Sequence, residues 1–90
     1  MNTTATVKLS SANMGDVTEA DFDAWASWVD ARIDEVAGCP VSVEQFAFGD
    51  SGPDQASGLD DATRETVLAW LSTEGWDAFC ADASAWPSVA

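Results

Sequence analysis

Apolar and polar residues alternate regularly at the start of the chain. Between Thr3 and Ser10, the residues Ala5, Val7 and Leu9 fall on one side of an extended segment, opposite a polar side. A period of two over this length predicts a half-buried β-strand. A polar loop then separates this strand from the next periodic segment.

The apolar spacing changes to that of a helix after residue 18. Thr18, with Asp21 three residues later, forms a variant of the capping box. Gly38 and Pro40 end the segment. One helix is therefore predicted from Thr18 to Gly38. Its buried stripe consists of Phe22, Trp25, Val29, Ile33 and Val36.

A second strand is predicted at residues 41–48, where β-branched and aromatic residues are concentrated. Val41 and Val43 fall on one face, and Phe46 and Phe48 on the other. Two apolar faces indicate a strand covered on both sides, or an outer face that binds a partner. The segment that follows, GDSGPDQASGL, is typical of a long loop.

A second helix is predicted from Asp60 or Asp61. Two alternatives exist at Gly75: the helix continues through it, or Thr73 caps a new short helix, which we favour. From residue 83 onward a tail either folds back or frays. The buried stripe of the second helix consists of Val67, Leu68 and Leu71.

The resulting order is β-α-β-α, with a short third helix if the second helix breaks. We therefore expect one small α/β (α+β) domain over residues 1–90, with a small sheet packed on two helices. The first helix is long enough for a crossover, so the two strands can be parallel neighbours. Two strands alone are marginal. Either a further segment or a second copy of the chain would complete the sheet, so monomer and homodimer both remain open.

Charge is the strongest feature of the composition. Sixteen acidic residues face three basic ones, giving a net charge of -13. A hydrophobic fraction of 47% with five tryptophans excludes an ordinary disordered acidic tail. The electrostatic field of a chain with this net negative charge repels nucleic acid and anionic membranes and attracts basic protein surfaces. We therefore expect a basic protein partner, with no direct nucleic-acid or membrane binding.

Catalysis and metal binding find little support. The chain has no His and no Tyr, and it lacks GxSxG, SxxK and P-loop motifs. Acidic residues near the Gly-rich loop could offer oxygen ligands to calcium, but their spacing does not match an EF-hand. We expect no enzymatic activity, no cofactor and no metal.

Cys39 and Cys80 lack the spacing of a zinc site. The sequence shows no secretory segment and no apolar run of the roughly 20 residues that span a membrane. We therefore predict two buried, reduced thiols in a cytoplasmic protein, with a disulfide between them as the alternative.

Carboxylates line the outer face of the first predicted helix. Asp23, Asp30 and Asp34 lie at i, i+7 and i+11, which places them about 10 Å and 6 Å apart along one face. Duplex DNA carries a charge about every 3.4 Å along each strand, so these spacings match one to three phosphate steps. An ordinary charged helix surface is the alternative, but such a surface usually mixes acids with lysines. The remaining candidate contacts are Glu19, Asp60, Asp61 and Glu65.

Three tryptophans are candidate interface anchors. Trp28 lies at the flank of the first stripe, and Trp70 and Trp76 fall off the second stripe if that helix is continuous. Tryptophan is a preferred anchor residue at interfaces. The alternative is that a small core uses large side chains to fill space.

In size and charge the chain resembles the small phage-encoded inhibitors that imitate nucleic acid, among them anti-CRISPR and anti-restriction proteins. The resemblance implies that the seven carboxylates named above occupy the basic groove in which a host nuclease or surveillance complex holds DNA. Two other interpretations compete with it. The acidity could reflect adaptation to high salt, or it could belong to an immunity protein that neutralises a basic toxin.

Overall fold

The computed structural model describes residues 5–14 and 17–87. It shows a small α+β domain with the predicted β-α-β-α order and a short additional helix. The elements follow one another along the chain as β1 (Ala5–Leu9), α1 (Glu19–Asp30), α2 (Ile33–Ala37), β2 (Val41–Gln45), β3 (Gln55–Ser57), α3 (Asp61–Ser72) and α4 (Glu74–Ala81). Two 3-10 turns, Ser11–Asn13 and Ala83–Ala85, complete the described part.

The three strands found in the described residues form one mixed sheet in the order β2-β1-β3. β1 pairs with β2 in parallel, from Ala5 opposite Val41 to Leu9 opposite Gln45. It pairs with β3 antiparallel, with Val7 opposite Ala56. The predicted parallel crossover is confirmed. The prediction of a loop throughout residues 49–59 is wrong at β3, a segment of the same chain that supplies the third strand.

The helices cover one face of this sheet. Ala5, Val7 and Leu9 are buried on the inner face, while Thr6 and Lys8 on the outer face are only half-buried. This alternation confirms the predicted β1, whose first two residues, 3 and 4, lie outside the described part. The core consists of these three residues and Met14, Phe22, Trp25, Ala26, Val29, Ile33, Val41, Val67, Leu71 and Phe79.

The first helical segment begins as predicted but is not continuous. Thr18 Oγ1 accepts a hydrogen bond from the Asp21 N–H at 3.1 Å, and Asp21 Oδ2 accepts one from the Thr18 N–H at 3.3 Å. The helix breaks after Asp30 because the Arg32 N–H turns to the carbonyl of Val29. The Trp28 carbonyl, which a regular helix would pair with that N–H, instead accepts a hydrogen bond from Arg32 Nη1 at 3.0 Å.

The second helical segment breaks near Gly75, which was the alternative that the sequence favoured. A Cβ on Gly75 would lie 2.9 Å from the Trp70 carbonyl oxygen and 3.2 Å from its indole ring. Thr73 occupies the N-cap position of α4, but its Oγ1 donates to the Ala69 carbonyl at 2.6 Å and makes no capping hydrogen bond. The predicted new helix and its N-cap residue are therefore confirmed, without a side-chain cap.

The end of the described chain folds back onto the core. Trp86 Nε1 donates a hydrogen bond to the Phe79 carbonyl at 2.8 Å, and the two rings lie 4.6 Å apart.

Phe48 departs from its predicted place. It lies beyond the end of β2, where its ring is 6.1 Å from that of Phe22 on the helix side of the sheet, whereas Phe46 lies under Lys8. The two phenylalanines therefore do not share an outer face.

Candidate partner-binding surface

Nearly all of the acidic side chains in the described residues lie at the surface. Asp21 is buried in the α1 cap, and Asp54 is half-buried. Thirteen others are exposed: Glu19, Asp23, Asp30, Asp34, Glu35, Glu44, Asp50, Asp60, Asp61, Glu65, Glu74, Asp77 and Asp82.

The three basic side chains neutralise little of this charge. Arg64 pairs with Asp61 at 3.2 Å on the exposed side of α3, where an ion pair contributes little. The Lys8 ammonium lies 4.4 Å from the centre of the Phe46 ring, and the Arg32 guanidinium lies 4.1 Å from that of Trp28. The surface therefore presents a strongly negative field to its surroundings.

Asp23 and Asp30 lie together beside the edge strand β2. Both line a shallow groove of about 210 Å³ whose other side is formed by Val43 and Gln45. Asp23 Oδ1 accepts a hydrogen bond from Gln45 Nε2 at 2.8 Å, which joins α1 to the end of β2. The structure thus brings these two predicted residues onto one surface.

Asp34 occupies a different position from the one that the sequence predicted. It belongs to α2, and its Oδ1 accepts a hydrogen bond from the Val41 N–H at 2.9 Å. This contact ties α2 to the first residue of β2. The predicted straight row of Asp23, Asp30 and Asp34 is wrong as geometry, because the helix that would carry all three breaks after Asp30.

The second acidic group lies on another part of the molecule. α1 packs along β2, whereas α3 packs against β3, the opposite edge strand. Asp60 caps α3 by accepting a hydrogen bond from the Thr63 N–H at 2.7 Å. Hydrogen bonding from the Thr63 side chain, and then from this N–H, lowers the pKa of the Asp60 carboxyl. Asp61 and Glu65 are exposed on the first turns of α3. The structure does not join them to Asp23 and Asp30 in one row.

The three candidate tryptophans take part in an aromatic cluster. Trp28 stacks on Trp70 with ring centres 5.8 Å apart and planes inclined by 10°, and Trp76 meets Trp25 edge-on at 5.9 Å. Trp28, Trp70 and Trp76 are all half-buried. Phe79, fully buried, touches Trp28 and Trp76 and connects these pairs. These contacts favour the packing role, although part of each indole remains at the surface.

A second, larger groove was not foreseen from the sequence. It has a volume of about 580 Å³ and lies between α2 and the α3–α4 junction, with Val36, Ala69 and Trp70 among its lining residues. Glu35 and Glu74 also line it. No spacing in the sequence relates these two glutamates, because they come from helices that meet only in the folded chain.

The Gly-rich loop serves the fold. Asp54 Oδ1 accepts a hydrogen bond from the Ser10 N–H at 2.7 Å, and Ser11 Oγ accepts one from the Gly49 N–H at 3.0 Å. Ser10 and Ser11 are buried, a role that the sequence pattern did not reveal. Across residues 5–14 and 17–87, no three His, Cys, Asp or Glu side chains converge as metal ligands would.

Both cysteines are free thiols, but their predicted burial is wrong. Cys39 is half-buried, and Cys80 is exposed on α4. Partial desolvation and the nearby Asp77 carboxylate raise the pKa of the Cys80 thiol. Cys80 is therefore less reactive than its exposure alone would indicate.

Comparisons of the chain with protein-family models, curated proteins and solved structures gave no match. None of the helices that the structure describes has the length and apolar character needed to cross a membrane. Arguments about function therefore depend on the surface itself.

Proposed function

We propose that the chain is a non-enzymatic inhibitor that binds the basic nucleic-acid groove of another protein and keeps nucleic acid out. The observation that carries this proposal is the excess of negative over positive charge at the surface. Among the described residues, thirteen exposed carboxylates are accompanied by three cations, two of which lie against the chain's own aromatic rings. The phage-encoded anti-CRISPR and anti-restriction proteins are the class to which this function belongs.

The α1 surface beside β2 is the proposed centre of contact. Asp23 and Asp30 are two helical turns apart, about 10 Å along the axis. A protein groove that holds DNA carries lysines and arginines arranged to meet phosphates. Two carboxylates on a rigid helix can satisfy such cations, since the α1 backbone is fixed by the buried stripe of Phe22, Trp25 and Val29.

Electrostatic attraction of this kind acts on both the rate and the choice of partner. A negative surface of this strength steers a basic partner toward it and repels acidic proteins. The Debye length falls from about 10 Å at 0.1 M salt to about 3 Å at 1 M. Binding should therefore weaken steeply as salt is added.

The proposed site of action is the cytoplasm of the host cell. Cys39 and Cys80 are both free thiols. A reducing compartment keeps thiols in that state. The cytoplasm is also where a nuclease or surveillance complex meets foreign DNA.

The test is capture of partners from a bacterial lysate at low salt, followed by elution with duplex DNA. The test variant carries Asp23→Lys and Asp30→Lys, and the control carries Glu74→Lys and Asp77→Lys, two exposed positions on α4. Each reversal removes one negative charge and adds one positive charge, so both double variants move the net charge from -13 to -9. Asp34 is left unchanged because it holds the Val41 N–H.

We expect DNA to elute nucleic-acid-binding proteins from the native chain and from the control, and far less to be captured by the α1 variant. Equal capture by the two variants would contradict the placement of the contact on α1. Captured proteins that DNA does not displace would contradict nucleic-acid mimicry. If the chain folds only in molar salt, its acidity is an adaptation to a high-salt environment, and this result would contradict the proposed inhibitor function.

A further inference from the structure

The outer edge of β2 is open in the described part of the chain. β2 is an edge strand of the sheet, paired on one side with β1. The Phe46 N–H bonds to the Leu9 carbonyl, which shows that the even-numbered residues of this segment turn their backbone groups toward β1. The Val41 N–H points the other way, to Asp34.

This alternation leaves two residues with outward-facing backbone groups. Val43 and Gln45 turn their N–H and C=O toward the open edge, where the described chain supplies no further strand. A row of such groups is a template for an added strand. The strand would begin beyond Val41, since Asp34 already occupies the N–H of that residue.

The charge beside this edge selects the occupant. The groove that runs along Val43 and Gln45 is lined on its far side by Asp23 and Asp30, with Ala26 and Ser27 between them. A second copy of the chain would bring the same two carboxylates against its partner and would add its own net charge of -13. Like charges so placed oppose pairing, whereas a lysine-rich strand would be attracted.

We propose that the β2 edge binds an extended, lysine- or arginine-bearing segment of a partner protein as a fourth strand. The added strand would exchange backbone hydrogen bonds with Val43 and Gln45, and its basic side chains on the inner side would reach Asp23 and Asp30. This inference rests on the proposed basic partner and adds how that partner is held. Backbone pairing supplies affinity, and the acidic groove supplies selectivity for basic side chains.

The test uses the full chain and a synthetic peptide of alternating lysine and threonine. A control peptide of the same sequence is methylated at every backbone nitrogen, which keeps its charge and removes its donors. Amide hydrogen exchange is followed residue by residue by NMR. The peptide should slow exchange at Val43 and Gln45, while Ser42 and Glu44, already turned toward β1, should change little.

A pair of protein variants tests the role of charge. Asp23→Asn with Asp30→Asn should weaken peptide binding about 2- to 30-fold, the range for losing two surface ion pairs. The matched control, Asp61→Asn with Glu65→Gln on α3, removes the same charge near the opposite edge strand and should leave peptide affinity nearly unchanged.

Several results would overturn the inference. One is peptide binding without protection of Val43 and Gln45, and another is equal binding of the methylated peptide. Protection that grows with protein concentration and needs no peptide would assign the edge to a second copy. Failure of the peptide while DNA still displaces lysate partners from α1 would refute strand addition and leave the proposed function standing.

Discussion

Replacement of Gly75 by alanine should destabilise the protein, against the usual preference of helices. Alanine within a helix is normally favoured over glycine by about 0.5–1 kcal/mol. Here the new Cβ would meet the Trp70 carbonyl oxygen at 2.9 Å and the Trp70 indole at 3.2 Å. The carbonyl belongs to the last turn of α3 and cannot rotate away as a side chain could.

The magnitude follows from the two opposing terms. Insertion of a methyl group into a packed site typically costs 1–3 kcal/mol, and the rigid carbonyl places this site toward the upper end of that range. After subtraction of the helix preference, we expect a net loss of about 1–2 kcal/mol. A domain of this size loses about 4–8 °C in Tm for each kcal/mol.

Thermal unfolding followed by tryptophan fluorescence measures this loss. The matched control is Gly52→Ala, because a Cβ at Gly52 would meet no atom within 4 Å and its φ is not positive. We expect Gly75→Ala to lower the Tm by at least about 4 °C, and Gly52→Ala to leave it almost unchanged. A Gly75→Ala protein as stable as the native chain would refute the close approach of α4 to Trp70.

Three further predictions concern the core, a strand contact and a thiol. Phe79→Ala should lower the free energy of unfolding by about 3–5 kcal/mol, because Phe79 is fully buried. The same change at Phe48, whose side chain is 44% exposed, should lower it far less. Equal losses of the two variants in urea unfolding would contradict the described core. Asp34→Ala should cost about 0.5–1.5 kcal/mol through loss of the Val41 hydrogen bond, and Asp34→Asn, which keeps an acceptor, should recover most of it in the same assay. Asp77→Asn should lower the raised pKa of Cys80 and so speed its alkylation by iodoacetamide below that pKa, while Glu74→Gln should not; an unchanged rate would exclude Asp77 as a cause.

Local patterns predicted most of the elements. The alternation around Val7 gave β1, and the spacing from Thr18 gave α1 with its capping box, because both depend on interactions within a few residues. The break near Gly75 was also predictable, since glycine weakens a helix at that point. Prediction failed at β3, where three residues of modest β propensity, Gln55–Ser57, are held by pairing with β1 rather than by their own preference.

The candidate partner-binding surface likewise has features that the sequence predicted and features that it did not. Charge is additive along the chain, so the sequence alone determined that the protein is strongly acidic and that its carboxylates exceed its cations. Which carboxylates lie together depended on helix breaks and packing. Asp34 does not lie in a row with Asp23 and Asp30, because the helix breaks where the Arg32 N–H bonds to the Val29 carbonyl. Glu35 and Glu74 line one groove because α2 packs beside the junction of α3 and α4.

The sequence by itself therefore determined the fold class, the sign of the surface charge and the identity of most core residues, because these follow from local periodicity and composition. The tertiary structure decided the third strand, the open edge of β2 and the placement of Asp23 and Asp30 beside it. These features arise from contacts between residues distant in the chain, and no short-range pattern encodes such contacts.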